Sequence, residues 1–290
     1  MFEGIYTALI TPFRDGEVDF AALGKLIERQ VEGGVDGLVP CGSTGESATL
    51  SHEEHERVID FTIEKANKRV KVIAGTGSNS TRETIRLTRF AKEHGADGSL
   101  LIAPYYNKPT QEGLYAHYAA VAEAIDLPQL VYNIPGRCAV NILPETIARL
   151  AKHGNVVGVK EASGSLDQIS RVVELCGPDF NVISGDDSLT LPILAVGGRG
   201  SIAVIANLLP KRFVALVRAG LAGDFAKARA LHYALLPVMR SLFLEGNPAG
   251  IKSALALTGA CSEELRLPLT KQSDENRAIL KRALEEASVL

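Results

Sequence analysis

The chain has 290 residues, 46% of them apolar, and its 31 Lys and Arg against 34 Asp and Glu give a formal net charge of −3. That length allows one large domain or two of ordinary size, with a substantial buried core. The near-balance of charge argues against nucleic-acid binding and against an acidic tail, and no apolar run reaches the roughly 18 residues of a membrane span.

The opening residues Met1-Phe2-Glu3-Gly4 lack the basic and apolar regions of a secretory signal, so a cytosolic location is expected. Cys41, Cys138, Cys176 and Cys261 are scattered and never form a C-x-x-C pair. That spacing suits reduced thiols packed as small apolar residues better than a disulfide framework or zinc knuckle.

Short apolar, β-branched runs begin near Ile5, Gly37, Val70, Ser99, Gln129, Val156, Asn181 and Ser201, each followed by a stretch of helical periodicity. Runs such as Val156-Val157-Gly158-Val159 are apolar on both faces, as strands covered by helices on each side must be. Eight strand-then-helix units predict an α/β fold, a closed (β/α)8 barrel, with an open doubly wound sheet as the alternative that periodicity does not separate from it. Ser51-His52-Glu53-Glu54, Ser80-Thr81-Arg82-Glu83 and Ser165-Leu166-Asp167-Gln168 have capping-box spacing, and Gly95 and Gly154 fall where helices should stop. Beyond Phe225 only helical patterns remain, over Ala226 to Leu244, Ile251 to Thr258 and Glu275 to Ser288. The predicted organisation is therefore a barrel over residues 1–224 and a C-terminal helical region over residues 225–290, without a flexible linker between them.

Reactive residues of such barrels lie at the carboxyl ends of strands and in the loops that follow. That rule nominates Cys41-Gly42-Ser43-Thr44-Gly45-Glu46, Pro104-Tyr105-Tyr106-Asn107, Tyr132-Asn133-Ile134-Pro135-Gly136-Arg137, Lys160-Glu161 and Gly185-Asp186-Asp187. Lys160 closes an apolar strand, where an ammonium is hard to accommodate. At an ordinary pKa of about 10.4 only roughly one lysine in a few thousand is a free amine at pH 7, whereas desolvation lowers that pKa and makes Schiff-base chemistry feasible. The competing role is a salt bridge at the barrel mouth, for which Glu161 is a poor partner because neighbouring strand residues point to opposite faces.

Tyr132 and Tyr106 suit proton transfer or simple buried hydrogen bonding. Ser43 and Thr44 suit a carboxylate cradle or a tight turn. Arg137 suits a bidentate carboxylate contact or solvation, and Asp186-Asp187 read first as turn caps. His52 and His55 are spaced i, i+3, not the i, i+4 of a metalloprotease helix, so no metal site is expected. No G-x-G-x-x-G follows a strand and no P-loop occurs, and the glycines of Val196-Gly197-Gly198-Arg199-Gly200 precede the eighth strand, which disfavours a phosphorylated substrate.

With Thr11-Pro12-Phe13, Gly42-Ser43-Thr44-Gly45-Glu46, Ile73-Ala74-Gly75-Thr76-Gly77, Pro104-Tyr105-Tyr106-Asn107, Tyr132-Asn133-Ile134-Pro135-Gly136-Arg137, Gly158-Val159-Lys160-Glu161-Ala162, Ser184-Gly185-Asp186-Asp187 and Asn247-Pro248, the chain resembles the dihydrodipicolinate synthase family from end to end. That family lies within the pyruvate-dependent class I aldolase superfamily, which also contains N-acetylneuraminate lyase. The resemblance implies a TIM barrel, usually a homotetramer built as a dimer of dimers. The implied reaction is a lyase-type condensation of pyruvate with L-aspartate 4-semialdehyde to 4-hydroxy-tetrahydrodipicolinate, the first committed step of lysine and diaminopimelate biosynthesis, without metal or organic cofactor.

By the same resemblance Lys160 forms the imine, and Tyr132 transfers protons through Ser43 and a Tyr106 from a neighbouring subunit. Thr44 and the main chain at Ile202 hold the pyruvate carboxylate, while Arg137 holds that of the aldehyde. Ser47, Ala48, His52, His55, Asn79, Glu83 and Tyr105 match positions that bind L-lysine as a feedback inhibitor. Two departures stand out: Ser43 replaces a usual threonine, and Cys138-Ala139 replaces a usual Thr-Gly. The alternatives are an aldolase for N-acetylneuraminate or 2-keto-3-deoxy sugar acids and, in a different class, a noncatalytic keto-acid or amino-acid sensor.

Overall fold

The structure, a computed structural model, describes residues 2–290. Its barrel strands are β1 (Gly4–Ala8), β4 (Gly37–Val39), β5 (Lys71–Gly75), β6 (Gly98–Ile102), β7 (Gln129–Asn133), β8 (Val156–Glu161), β9 (Asn181–Ser184) and β10 (Gly200–Ala203). All pair in parallel, and pairing of β1 with both β4 and β10 closes the sheet. The open-sheet alternative is thereby excluded, and each predicted strand start lies within one residue of the observed one. Sequence periodicity gave no sign of a two-stranded hairpin, β2 (Phe13–Arg14) and β3 (Glu17–Val18), which sits between β1 and the first helix. Its strands are too short to show an alternating pattern.

Alternation divides each strand between two environments. Tyr6, Val39, Ile73, Leu100, Leu130, Tyr132, Ile183 and Ile202 pack together in one cluster inside the barrel. Residues of the opposite parity, such as Ile5, Leu38, Leu101, Val131, Val159 and Val182, pack in the clusters shared with the surrounding helices. The C-terminal helices Phe225–Ser241, Ala249–Leu257 and Asp274–Glu286 join the same core through Leu235, Val238, Ile251, Leu255, Leu280 and Leu284. No helix among the described residues is long and apolar enough to cross a membrane.

The helix starts follow sequence signals unevenly. Ser51 forms the full reciprocal capping box with Glu54. Ser165 accepts from the Gln168 N–H, but the Gln168 side chain turns to Asn141 and Glu161. Ser80 makes no side-chain cap at all; the Ser78 hydroxyl bonds Glu83 and accepts from the Ser80 N–H instead. The helix does begin after Ser80 as the spacing predicts, but Glu83 is drawn to the Ser78 hydroxyl, so the reciprocal box does not form.

Candidate active site

The site forms where β4, β7, β8, β9 and β10 end. On β8, Lys160 faces the barrel interior while Glu161 faces outward, where its carboxylate accepts from Asn133 Nδ2 (3.2 Å), the Ser163 N–H (2.8 Å) and Gln168 Nε2 (3.3 Å). Glu161 therefore does not neutralise Lys160. Burial raises the Glu161 pKa, and through Asn133 the side chain belongs to a polar cluster that joins Asn133 to Asn141 and Ile142.

Lys160 is only 6% exposed. Burial lowers its pKa from 10.5 to about 8, against the Asp187 carboxylate, which favours the ammonium, and with Arg137, which disfavours it. Its amine lies 4.3 Å from the ring centroid of Tyr132, the residue directly across the β7–β8 ladder. Burial pushes the Tyr132 phenol well above the usual tyrosine range, so it stays protonated at neutral pH and can donate. Ser43, on the loop after β4, acts on the phenol in the opposite direction, favouring its ionised form.

Beside Ser43, the buried Thr44 accepts at Oγ1 from Asn247 Nδ2 at 2.9 Å. The main-chain oxygen of Asn247 accepts from Arg137 Nη2 at 3.1 Å. Asn247 thus ties together two residues nominated from different loops. Sequence reasoning gave it no role of its own, because no spacing rule relates it to either partner.

Arg137 sits on a single helical turn, Pro135–Cys138, started by proline at its first position. The departures beside it have physical consequences. Cys138 is fully buried and its thiol is pushed up to about 11, so it is an inert packing residue. Ala139 closes the turn with φ +56, left-handed backbone that a glycine accepts freely and alanine adopts at about 1–2 kcal/mol.

The two aspartates after β9 divide their work. Asp186 caps the turn, accepting from the Ser188 N–H (2.8 Å), the Ser188 hydroxyl (2.7 Å) and the Leu189 N–H (3.2 Å). Asp187 reaches instead to the N–H groups of Val204 and Ile205 at 3.0 and 2.7 Å, holding the segment just after Ile202. Burial raises its pKa to about 6. Gly185 is required by space: a β-carbon there would stand 3.0 Å from Lys160 Cε and 2.8 Å from Ala162 Cβ.

Not every nominated residue converges on Lys160. Tyr106 is 90% exposed and has φ +73, so within one chain its phenol contacts no part of this site. The remaining nominations lie around the 3-10 turn Ser47–Thr49 and the helices Thr81–Glu93 and His52–Ala66. His52 Nε2 lies 3.3 Å from Glu83, while His55 is buried with Nε2 on the Gly75 carbonyl at 2.8 Å and its pKa lowered by burial. Asn79 Nδ2 donates to the Tyr105 carbonyl at 3.1 Å. Ser47 and Ala48, on the 3-10 turn, directly follow the loop that carries Ser43 and Thr44.

A buried, readily deprotonated lysine beside a phenol, two hydroxyls and a guanidinium is equipped for carbonyl chemistry. Comparison with known proteins bears on which family uses this arrangement. A profile of the dihydrodipicolinate synthetase family matches residues 1–287. The 4-hydroxy-tetrahydrodipicolinate synthase of Syntrophus aciditrophicus is 57% identical over 290 residues, 100% of each chain. The crystal structure of the Acinetobacter baumannii dihydrodipicolinate synthase complexed with pyruvate superposes with TM-score 0.98 at 43% identity, covering 100% of both chains. The Cyanidioschyzon merolae enzyme, solved with lysine bound, gives TM-score 0.96 at 38% identity over 100% of this chain and 99% of that one. From its first loop to its last helix, the chain belongs to the dihydrodipicolinate synthetase family.

Proposed function

We propose that this chain condenses pyruvate with L-aspartate 4-semialdehyde to give 4-hydroxy-tetrahydrodipicolinate and water, opening lysine and diaminopimelate biosynthesis. The observation that carries the proposal is the buried Lys160 amine set against Tyr132, with its pKa lowered to about 8. The amine adds to the ketone carbon of pyruvate and the carbonyl oxygen departs as water, leaving an imine. Loss of a methyl proton gives an enamine, whose carbon bonds to the aldehyde carbon as the aldehyde oxygen takes a proton. The substrate amine then attacks the imine carbon, closes the ring and releases the Lys160 amine.

Tyr132 moves the protons, with Ser43 and a Tyr106 from a neighbouring copy connecting it to solvent. Thr44 and the main chain at Ile202 hold the pyruvate carboxylate, and Arg137 holds that of the aldehyde. The exposed Tyr106 supports assembly into a tetramer, which sedimentation analysis tests. A cytosolic location is part of the same proposal, and the four free cysteines suit it.

L-lysine is proposed as an effector bound by Ser47, Ala48, His52, His55, Asn79, Glu83 and Tyr105. Its support is the lysine seen on the Cyanidioschyzon merolae relative and the proximity of His52 to Glu83. Both proposals are tested by a coupled assay with the two substrates, run with and without L-lysine, alongside borohydride reduction with pyruvate. A mass adduct on Lys160 is expected. Efficient cleavage of N-acetylneuraminate without condensation would overturn the activity, and a rate unchanged at millimolar lysine would overturn the effector.

A further inference from the structure

A charged pair that takes no part in these steps lies against the loop carrying Ser43 and Thr44. The carboxylate of Glu46 and the amine of Lys252 form an ion pair, and neither side chain has any exposed surface. Lys252 also donates to the Glu264 carbonyl at 2.8 Å, and its amine lies 4.2 Å from the ring centroid of Phe13. Arg266 sits 4.4 Å from the same ring, and its N–H donates to the second Glu46 oxygen at 3.1 Å. The Arg266 guanidinium then reaches the Thr49 carbonyl at 3.0 Å and the Glu54 carboxylate at 2.7 Å.

These contacts close around a very tight segment. The Gly45 N–H bonds the Gly42 carbonyl at 3.0 Å, the Glu46 N–H bonds Ser43 at 3.2 Å, and the Thr11 hydroxyl holds the Gly45 carbonyl at 2.7 Å. Glu46 itself has φ +53, a left-handed backbone that a non-glycine residue keeps only when its surroundings enforce it. Two well-packed apolar residues would serve stability as well as a buried ion pair does, so stability alone does not account for this pair. What an ion pair adds is a strong, directional link between two fixed points. Here those points are the catalytic loop and the helix Ala249–Leu257, which begins just after Asn247.

We propose that the buried Glu46–Lys252 pair is a positioning device for the catalytic loop: Lys252 anchors Glu46, and Glu46 sets Ser43 against Tyr132 and Thr44 against Asn247. Neither residue touches substrate. The proposal rests on the roles given above to Ser43 and Thr44, and it adds the residues that hold them in place.

The test is Glu46→Gln, which keeps an acceptor for Lys252 but removes the charge. The expected result is a folded protein whose kcat falls at least about tenfold and whose KM for pyruvate rises at least about fivefold, with KM for aspartate semialdehyde within about twofold. Borohydride trapping on Lys160 at saturating pyruvate remains complete. Should that variant fail to fold, Glu46→Gln/Lys252→Met leaves no unpaired buried charge and is measured in its place. Kinetics within about twofold of the parent in a folded variant would overturn the proposal, as would an equal rise in both KM values, which signals general loosening. The parent enzyme is assayed in parallel: no imine in the parent defeats the proposed activity itself, whereas imine in the parent with unaltered variant kinetics defeats only the role of the pair.

Discussion

Tyr132 and Lys160 are register partners on adjacent parallel strands, and the lysine amine lies 4.3 Å from the centre of the tyrosine ring. Both face the barrel interior because β7 and β8 run in phase there, so a strand ladder fixes their separation without help from any loop. Catalytic groups placed on strands in this way are held more firmly than groups placed on loops.

The first expected outcome concerns pH. An amine of pKa about 8 is roughly one-tenth unprotonated at pH 7, so borohydride trapping with pyruvate should accelerate nearly tenfold per pH unit below pH 7, about fivefold from pH 7 to 8, and level off near pH 9. The Asp187 carboxylate favours the ammonium, so Asp187→Asn should move that plateau to lower pH. A plateau that stays where it is would show that the carboxylate does not act on Lys160.

Tyr132→Phe removes the phenol but leaves Lys160 in place. Turnover should drop by roughly 10²- to 10⁴-fold, the usual range for a lost general acid or base, while the imine remains trappable. Stopped-flow kinetics beside mass spectrometry separate the two effects, and normal turnover would remove Tyr132 from the mechanism.

Gly185→Ala places a methyl group 3.0 Å from Lys160 Cε. The lysine stem must swing away, and displacement of this kind can slow a reaction by about 10²-fold. The circular dichroism spectrum should be retained while the trapping rate falls. An unchanged rate would show that the stem yields without moving the amine.

Arg137→Ala should chiefly raise the KM for aspartate semialdehyde, leaving pyruvate imine formation near normal. Initial rates with each substrate varied in turn give the comparison, and a selective effect on pyruvate would contradict the assignment of Arg137.

Ala139→Gly relieves the left-handed strain in the turn that presents Arg137. Relief of about 1–2 kcal/mol is partly offset by the extra freedom of glycine in the unfolded chain, so a net gain of up to about 1 kcal/mol is expected. Urea unfolding monitored by tyrosine fluorescence measures it, and a loss of stability would mean the turn is not strained.

Strand-level information was the most readable part of the sequence. Apolar runs bounded by turn residues placed all eight barrel strands, and Lys160 stood out because its charge closes such a run. Ser43, Thr44 and Arg137 could be nominated because they follow strands. Asn247, Glu46 and Lys252 matter through contacts between distant parts of the chain, and no local period or motif announces such contacts. At Ser80 the local motif placed the helix start correctly, but its side-chain bonds were diverted to the neighbouring Ser78.

The order of synthesis gives the Glu46–Lys252 pair a further meaning. The strands that bear Lys160, Tyr132 and Ile202 all leave the ribosome before Asn247, Lys252 and Arg266 exist. During translation the N-terminal part of a chain begins to fold first, so the eight barrel strands can assemble while the loop of Ser43 and Thr44 still lacks those contacts. If the pair positions that loop as proposed, Lys160 emerges into an unfinished site, and competence arrives only when the final helices dock.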